Sequence, residues 1–153
     1  MEWEKGIDFL SEVIKQVLKE NTDIYFVLIG SGPCKIKIKK QFKNEKNVRF
    51  EGYVPHEKIN EYFKAADLLI LTSPIEGLPN VVLESMAVGI PVITRPSSPD
   101  IKMLISNICD TPWDFAYMIK NKTYVTDKLP PEYTWENLKQ RYISFFKDLQ
   151  GGR

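Results

Sequence analysis

Two carboxylates and two glycine-bearing loops supply the residue types best suited to chemistry. Glu76 and Glu84 fall within the run Ser73-Pro74-Ile75-Glu76-Gly77-Leu78-Pro79-Asn80-Val81-Val82-Leu83-Glu84-Ser85-Met86-Ala87-Val88-Gly89-Ile90-Pro91. The pattern reads as a strand entering a loop that opens a helix. The first free N–H groups of that helix, near Asn80 to Val82, would form an anion site. A carboxylate beside such a site repels the anion, so it belongs there only if it grips hydroxyls, as on a sugar or a ribose. The competing reading makes Glu76 a complement to the helix dipole and Glu84 a solvated helix residue. Spacing alone does not separate the two.

The second loop is Gly30-Ser31-Gly32-Pro33. Glycines let the backbone turn sharply and approach a ligand. Contact with a nucleotide and an ordinary strand-to-helix turn are both open. A dinucleotide fingerprint needs a third glycine where Lys35 stands, although Glu51 ends the next strand where an acid would hold a ribose. That fingerprint is therefore weak.

The surrounding pattern positions these loops. Ile7, Leu10, Val13, Ile14, Val17 and Leu18 predict an amphipathic helix over 5–20. Ile24 to Ile29 is a continuous apolar run, expected as a strand buried on both faces. Further strands are predicted at Val48–Tyr53, Leu68–Thr72, Pro91–Thr94 and 107–110. Helices are predicted at 35–46, from Pro55-His56 to Ala66, at Asn80–Val88, near Asp100–Ile105 and from Pro112 to Asn121. Gly89 sits where a helix-terminating glycine belongs. A closing helix follows Thr134 as N-cap, with Trp135, Leu138, Tyr142, Phe145 and Leu149 as its apolar stripe and Gly151-Gly152 as its end. Trp135, Phe145 and Phe146 are expected to pack. The alternation predicts an α/β fold, with a parallel sheet covered on both faces, in a single domain over 1–153. In such sheets ligands bind beyond the carboxyl ends of the strands, where both loops fall.

The 153 residues are 43% hydrophobic and 27% charged, which is globular composition. Lys+Arg number 21 and Asp+Glu 20, so no global field draws the chain to nucleic acid. No apolar run is long enough for a membrane span, and the first residues do not read as a secretory signal. Cys34 and Cys109 are expected as reduced thiols, and no metal site is expected. A cytoplasmic location follows as an expectation. Lys35, Lys37, Lys39, Lys40, Lys43, Lys46 and Arg49 read as a solvated face. The alternatives are weak contact with anionic lipid at the inner membrane face, or with a partner domain. His56 reads as a capping or surface residue.

The stretch from Glu76 to Val92 resembles the Glu-x7-Glu signature of the group 1 (family 4) retaining glycosyltransferases. Lys5-Gly6, the Gly30-Ser31-Gly32-Pro33 loop, Val48 to Val54, and Ala65-Ala66-Asp67 through Ser73-Pro74 fall in the family's order. The resemblance implies a three-layer, Rossmann-like, doubly wound parallel sheet, the C-terminal half of a GT-B fold. It implies a metal-independent enzyme that moves a hexose-type sugar from a UDP-, GDP- or ADP-linked donor with retention of configuration. The nucleotide-sugar would be a substrate, with no cofactor. Lys5 and the backbone of Gly77, Leu78, Pro79, Asn80 and Val81 would hold the donor diphosphate. Glu76 would act as the catalytic-site carboxylate at the donor sugar, and Glu84 would bind the ribose. Gly30, Gly32, Pro33, Tyr53 and Val54 would form the base pocket.

The departures set further expectations. The family has a strand ending in Gly-Arg ahead of its Lys-Gly, whereas Met1 to Glu4 precede Lys5 here. Without that strand, Ile24–Ile29 and Leu68–Thr72 are expected to pair directly, or another segment or chain to fill the gap. An acceptor-binding N-terminal-type domain or partner chain would be needed, so the isolated chain should be inactive or weakly active. The alternative is a non-catalytic nucleotide or nucleotide-sugar-binding or interaction module.

Overall fold

The computed structural model describes residues 6–20, 23–32 and 34–151, with backbone alone at 34, 145–146 and 148–151. The elements are α1 (Ile7–Leu18), β1 (Phe26–Ile29), α2 (Cys34–Gln41), β2 (Val48–Gly52), α3 (His56–Ala65) and β3 (Leu69–Leu71). They continue with α4 (Asn80–Val88), β4 (Val92–Thr94), α5 (Pro99–Leu104), α6 (Pro112–Asn121) and α7 (Trp135–Gly151). A 3-10 turn at Pro131–Tyr133 precedes α7.

β1 pairs in parallel with β2, and β3 with β4. The strand expected at 107–110 is a single bridge between Thr94 and Ile108. Side-chain alternation builds the layers. Ile70 and Ile93 face a core made by Val13, Ile14 and Val17 of α1 with Phe115, Ala116 and Ile119 of α6. Leu69, Leu71 and Val92 face the opposite core, with Val82 and Met86 of α4 and Ile101 of α5. Helices therefore cover both faces of the β3–β4 pair, as parallel strands require.

Of the alternatives expected where a first strand would lie, direct pairing of β1 with β3 is not formed among the described residues. The Phe26 N–H donates to the Asn47 carbonyl at 2.7 Å and the Gly30 N–H to the Gly52 carbonyl at 2.7 Å, both toward β2. Alternation along a strand then turns the Val27 and Ile29 N–H groups to the other edge. On β3, the Leu69 N–H donates to Pro91 and the Leu71 carbonyl accepts from Arg95, so Ile70 presents its polar groups to the edge away from β4. The two pairs are joined through the α1 core, which contains Phe26, Val48 and Ile93 together. Contrary to expectation, β1 is buried on one face only. Phe26 and Leu28 meet that core, whereas Tyr25, Val27 and Ile29 are exposed.

The lysine-rich segment forms α2, with Ile38 and Phe42 buried and its lysines outward, as a solvated face requires. Lys37 reaches Asp8 at 2.6 Å. α6 starts as expected at Pro112, with a capping box in which Thr111 and Asp114 bond each other's backbone N–H.

Thr134 takes the expected N-cap position of α7: it is extended at φ −75° and ψ 149°, and its carbonyl accepts the Leu138 N–H at 3.0 Å. Its hydroxyl donates back to the Pro131 carbonyl at 2.7 Å, and Asn137 Nδ2 donates to the same oxygen. These bonds fix α7 to the 3-10 turn; of the expected stripe, Trp135 is 72% exposed and Tyr142 62%, while Leu138 is half-buried. The packing expected of Trp135 is not formed. The Phe145, Phe146 and Leu149 side chains, and Gly152, lie outside the described residues. Among those residues no helix is long and apolar enough to cross a membrane.

Cys109 is a free, buried thiol with Sγ 3.2 Å from Met118 Sδ. Burial, then the Asp114 and Asp110 carboxylates, push it up to about 11. In a Cys34→Ala variant, native Cys109 should therefore react with a neutral disulfide reagent at pH 8 about 100-fold or more slowly than the urea-unfolded chain. A ratio below about fivefold would show an accessible, ordinary thiol. The edge geometry gives a second expectation, by amide hydrogen exchange in the native state. Val27, Ile29 and Ile70 should exchange well ahead of Phe26 and Leu69; equal protection would mean that the two pairs form one continuous ladder.

Candidate functional site

The carboxyl ends of the strands carry the sequence-predicted residues. α1 begins at the carboxyl end of β3. Gly6 sits there at φ 67°, and a Cβ on it would overlap the Thr72 carbonyl. The chain runs the length of α1 and returns as β1, so β1 points the same way as β3. The loops after all four strands then face one edge. Lys5 and Pro33, both predicted site residues, lie outside the described residues.

One group of predicted residues surrounds the ends of β1 and β2. Gly30 and Gly32 adopt φ 133° and 149°, and the space in front of Gly30 is empty where a side chain would stand. Tyr53 is 76% exposed directly after β2, beside half-buried Val54. His56 opens α3 with its ring exposed, as expected, and places Nε2 4.0 Å from Glu84 Oε1. Glu84 on α4 is thereby brought to the Tyr53–His56 turn. Glu51 is not available to hold a ribose. It pairs with Arg49 and hydrogen-bonds the Tyr62 phenol, which burial and then the Glu51 charge hold above the usual tyrosine range. Lys35 was seen in the sequence as a missing glycine, yet its Nζ lies 2.8 Å from where a Gly52 Cβ would be. It places a cation at the end of β2, which no spacing rule indicated.

The other group surrounds the ends of β3 and β4. Pro79 is the N-cap of α4, and no side chain caps that helix. The Val82 N–H is taken by the Pro79 carbonyl at 3.0 Å, so the free donors are those of Asn80 and Val81. Glu76 is half-buried, and its N–H donates to the Ser97 carbonyl at 3.5 Å. Gly77 is exposed with open space before it, while Leu78 packs into the core under α4. Ser98 couples this loop to α5: its Oγ donates to the Gly77 carbonyl at 2.9 Å and accepts from the Ile101 N–H at 3.2 Å. No motif or spacing in the chain marks that contact.

The arrangement can therefore present two N–H donors to an anion and a carboxylate on either side of it. Among the described residues no group of three His, Cys, Asp or Glu could hold a metal ion. Ser98→Ala removes the α5 cap and the Gly77 tether. It should cost about 1 kcal/mol, which is about 2–4 °C in melting temperature for a domain of this size. An unchanged melting curve would show that the tether does not hold the loop.

Comparison with known proteins adds the following. The family profile of the glycosyl transferases group 1 matches residues 1–116. The alpha-monoglucosyldiacylglycerol synthase of Streptococcus pneumoniae is 34% identical over 108 residues, 69% of this chain and 24% of that enzyme. A TarM structure from S. aureus, in complex with fondaparinux, alpha-GlcNAc-glycerol and UDP, superposes with TM-score 0.71 at 26% identity. It covers 76% of this chain and 25% of TarM. The C-terminal domain of LpcC, a glycosyl transferase group 1 family protein of Francisella tularensis, superposes with TM-score 0.64 at 20% identity. That match covers 80% of this chain and 69% of the LpcC domain. The chain thus spans about a quarter of the two longer proteins.

Proposed function

Since the chain belongs to the glycosyl transferases group 1 family, as a C-terminal-type domain with the GT-B fold, we propose that its site takes the nucleotide-sugar donor of a glycosyl transfer. The observation that carries this is the disposition of Glu76 and Glu84 about the uncapped start of α4. The free Asn80 and Val81 N–H groups suit the diphosphate, and the helix dipole adds to their effect. Glu84, on the side of Tyr53 and Val54, suits the ribose hydroxyls. Glu76, in the loop before the helix, suits hydroxyls of the donor sugar. The exposed Tyr53 ring and the open backbone at Gly30 and Gly32 leave room for the base.

In this reading the sugar departs from a diphosphate whose growing charge meets oriented N–H groups and Lys5. Such fixed dipoles stabilise the transition state without reorganising. Pro33 flanks the base. The sugar is of hexose type, transferred with retention and without a metal, to an acceptor held by an N-terminal-type domain or partner chain. UDP in the complex with TarM, a protein of similar fold, supports a nucleotide diphosphate as the ligand class. One domain cannot by itself close a cleft round donor and acceptor, so the isolated chain should turn over slowly.

Calorimetric titration with UDP, GDP and ADP, then with their sugar conjugates, tests this. One base should bind. Glu84→Ala should weaken that nucleotide about tenfold, the scale of one or two hydrogen bonds to a charged group. Glu76→Ala should leave the diphosphate unaffected but narrow its difference from the sugar conjugate. Binding that survives both changes would overturn the assignment.

A further inference from the structure

We propose that Arg95 is a ligand of the donor diphosphate, supplying its guanidinium to the phosphate oxygens. The inference rests on the donor-site reading above but concerns a residue that the Glu76–Glu84 motif does not include. Arg95 is the first residue beyond β4, anchored by its N–H to the Leu71 carbonyl. Its guanidinium carbon lies 4.6 Å over the Phe9 ring in the first turn of α1. Phe9 in turn meets Phe115 edge-on, with ring centroids 5.3 Å apart. The cation is thus held by ring stacking, and no carboxylate pairs with it among the described residues.

Its Nε is out of contact with solvent and has no hydrogen-bond partner, and the same is true of Ser97 Oγ two residues on. Orphaned polar atoms of this kind are rare and destabilising. Two of them lie in one short turn, and the backbone of that turn bonds the Glu76 loop through the Ser97 carbonyl. A half-buried guanidinium without a counter-charge, beside the loop that leads to two free helix N–H donors, is matched by an anion with several oxygens. Arginine's planar fork suits phosphate in particular.

The test compares wild type with Arg95→Gln and Arg95→Lys by titration with UDP, inorganic pyrophosphate and uridine, at two salt concentrations. Arg95→Gln should weaken UDP and pyrophosphate about tenfold or more, leave uridine unchanged and flatten the salt dependence. Arg95→Lys should recover part of the loss. Without ligand, Arg95→Gln should melt no lower than wild type, because it removes an uncompensated charge; a merely structural Arg95 would give a lower melting temperature and unchanged UDP affinity. UDP binding within twofold of wild type in Arg95→Gln, with Glu84→Ala still disruptive, would overturn this proposal and leave the donor-site reading intact. Pyrophosphate binding that needs Arg95, with UDP insensitive to Glu84→Ala, would retain Arg95 as a phosphate ligand and overturn the nucleoside assignment. Absence of any binding to wild type at millimolar pyrophosphate and at millimolar UDP, GDP and ADP would overturn both.

Discussion

The apolar face of α1 holds the molecule together. Val13, Ile14 and Val17 are fully buried, and they share one core with Phe26 and Val48 from one strand pair and Ile93 from the other. Among the described residues no backbone ladder joins the two pairs. Burying such side chains contributes about 1.5–3 kcal/mol each, so three of them rival the whole stability of a typical domain. The same helix starts against the Thr72 carbonyl through Gly6, whose positive φ and absent Cβ permit the approach. Side-chain packing on α1 thereby sets the distance between the candidate site residues at the ends of β1 and β2 and those at the ends of β3 and β4.

Charge is distributed to suit this division. Two cations away from the site are matched: Lys37 with Asp8, and Lys120 with Glu20, each at 2.6 Å. The bond from Lys120, and then its charge, hold Glu20 below the usual carboxylate range. Surface pairs of this kind contribute little to stability. The α4 N-terminus has no side-chain cap, and Arg95 has an aromatic ring under it in place of an acid. Leaving helix donors uncapped and an arginine unpaired lowers stability, and functional sites are where folds retain such violations. The carboxylates are displaced from the free N–H groups, Glu76 before the helix and Glu84 beyond its first turn. In the proposed reading, this keeps the hydroxyl-binding groups apart from the anion-binding ones.

Much of this was legible in the residues because it is local. α4 and α6 fall on their expected bounds, since Pro79 and Pro112 mark the starts and Gly89 supplies the left-handed terminus at φ 82°. The Glu76–Glu84 segment encodes its own loop-to-helix turn, so its place at a strand end follows from short-range rules. β1 was misjudged because an apolar run signals burial without saying whether a neighbour exists to provide it. Tyr25, Val27 and Ile29 satisfy the pattern of a two-sided strand and still face outward. By contrast, Thr134 is placed by a short-range rule, directly before α7, and its hydroxyl adds a donor bond back to the Pro131 carbonyl.

What the sequence concealed depends on partners remote along the chain. Asn107 is buried, and its amide donates to the Val92 and Val125 carbonyls while its oxygen accepts from the Val125 N–H. It fastens the 122–133 segment to β4, and nothing near it in sequence marks it out. Glu84 meets His56 from another helix, and Arg95 finds Phe9 on α1. A residue type becomes informative at such positions only when the fold supplies its neighbour. Arginine after a strand is unremarkable in one dimension. Stacked on α1, with a buried Nε that nothing satisfies, it is a charge awaiting an anion. The motif therefore marks the candidate site, and the packing of α1 determines which residues outside the motif lie beside it.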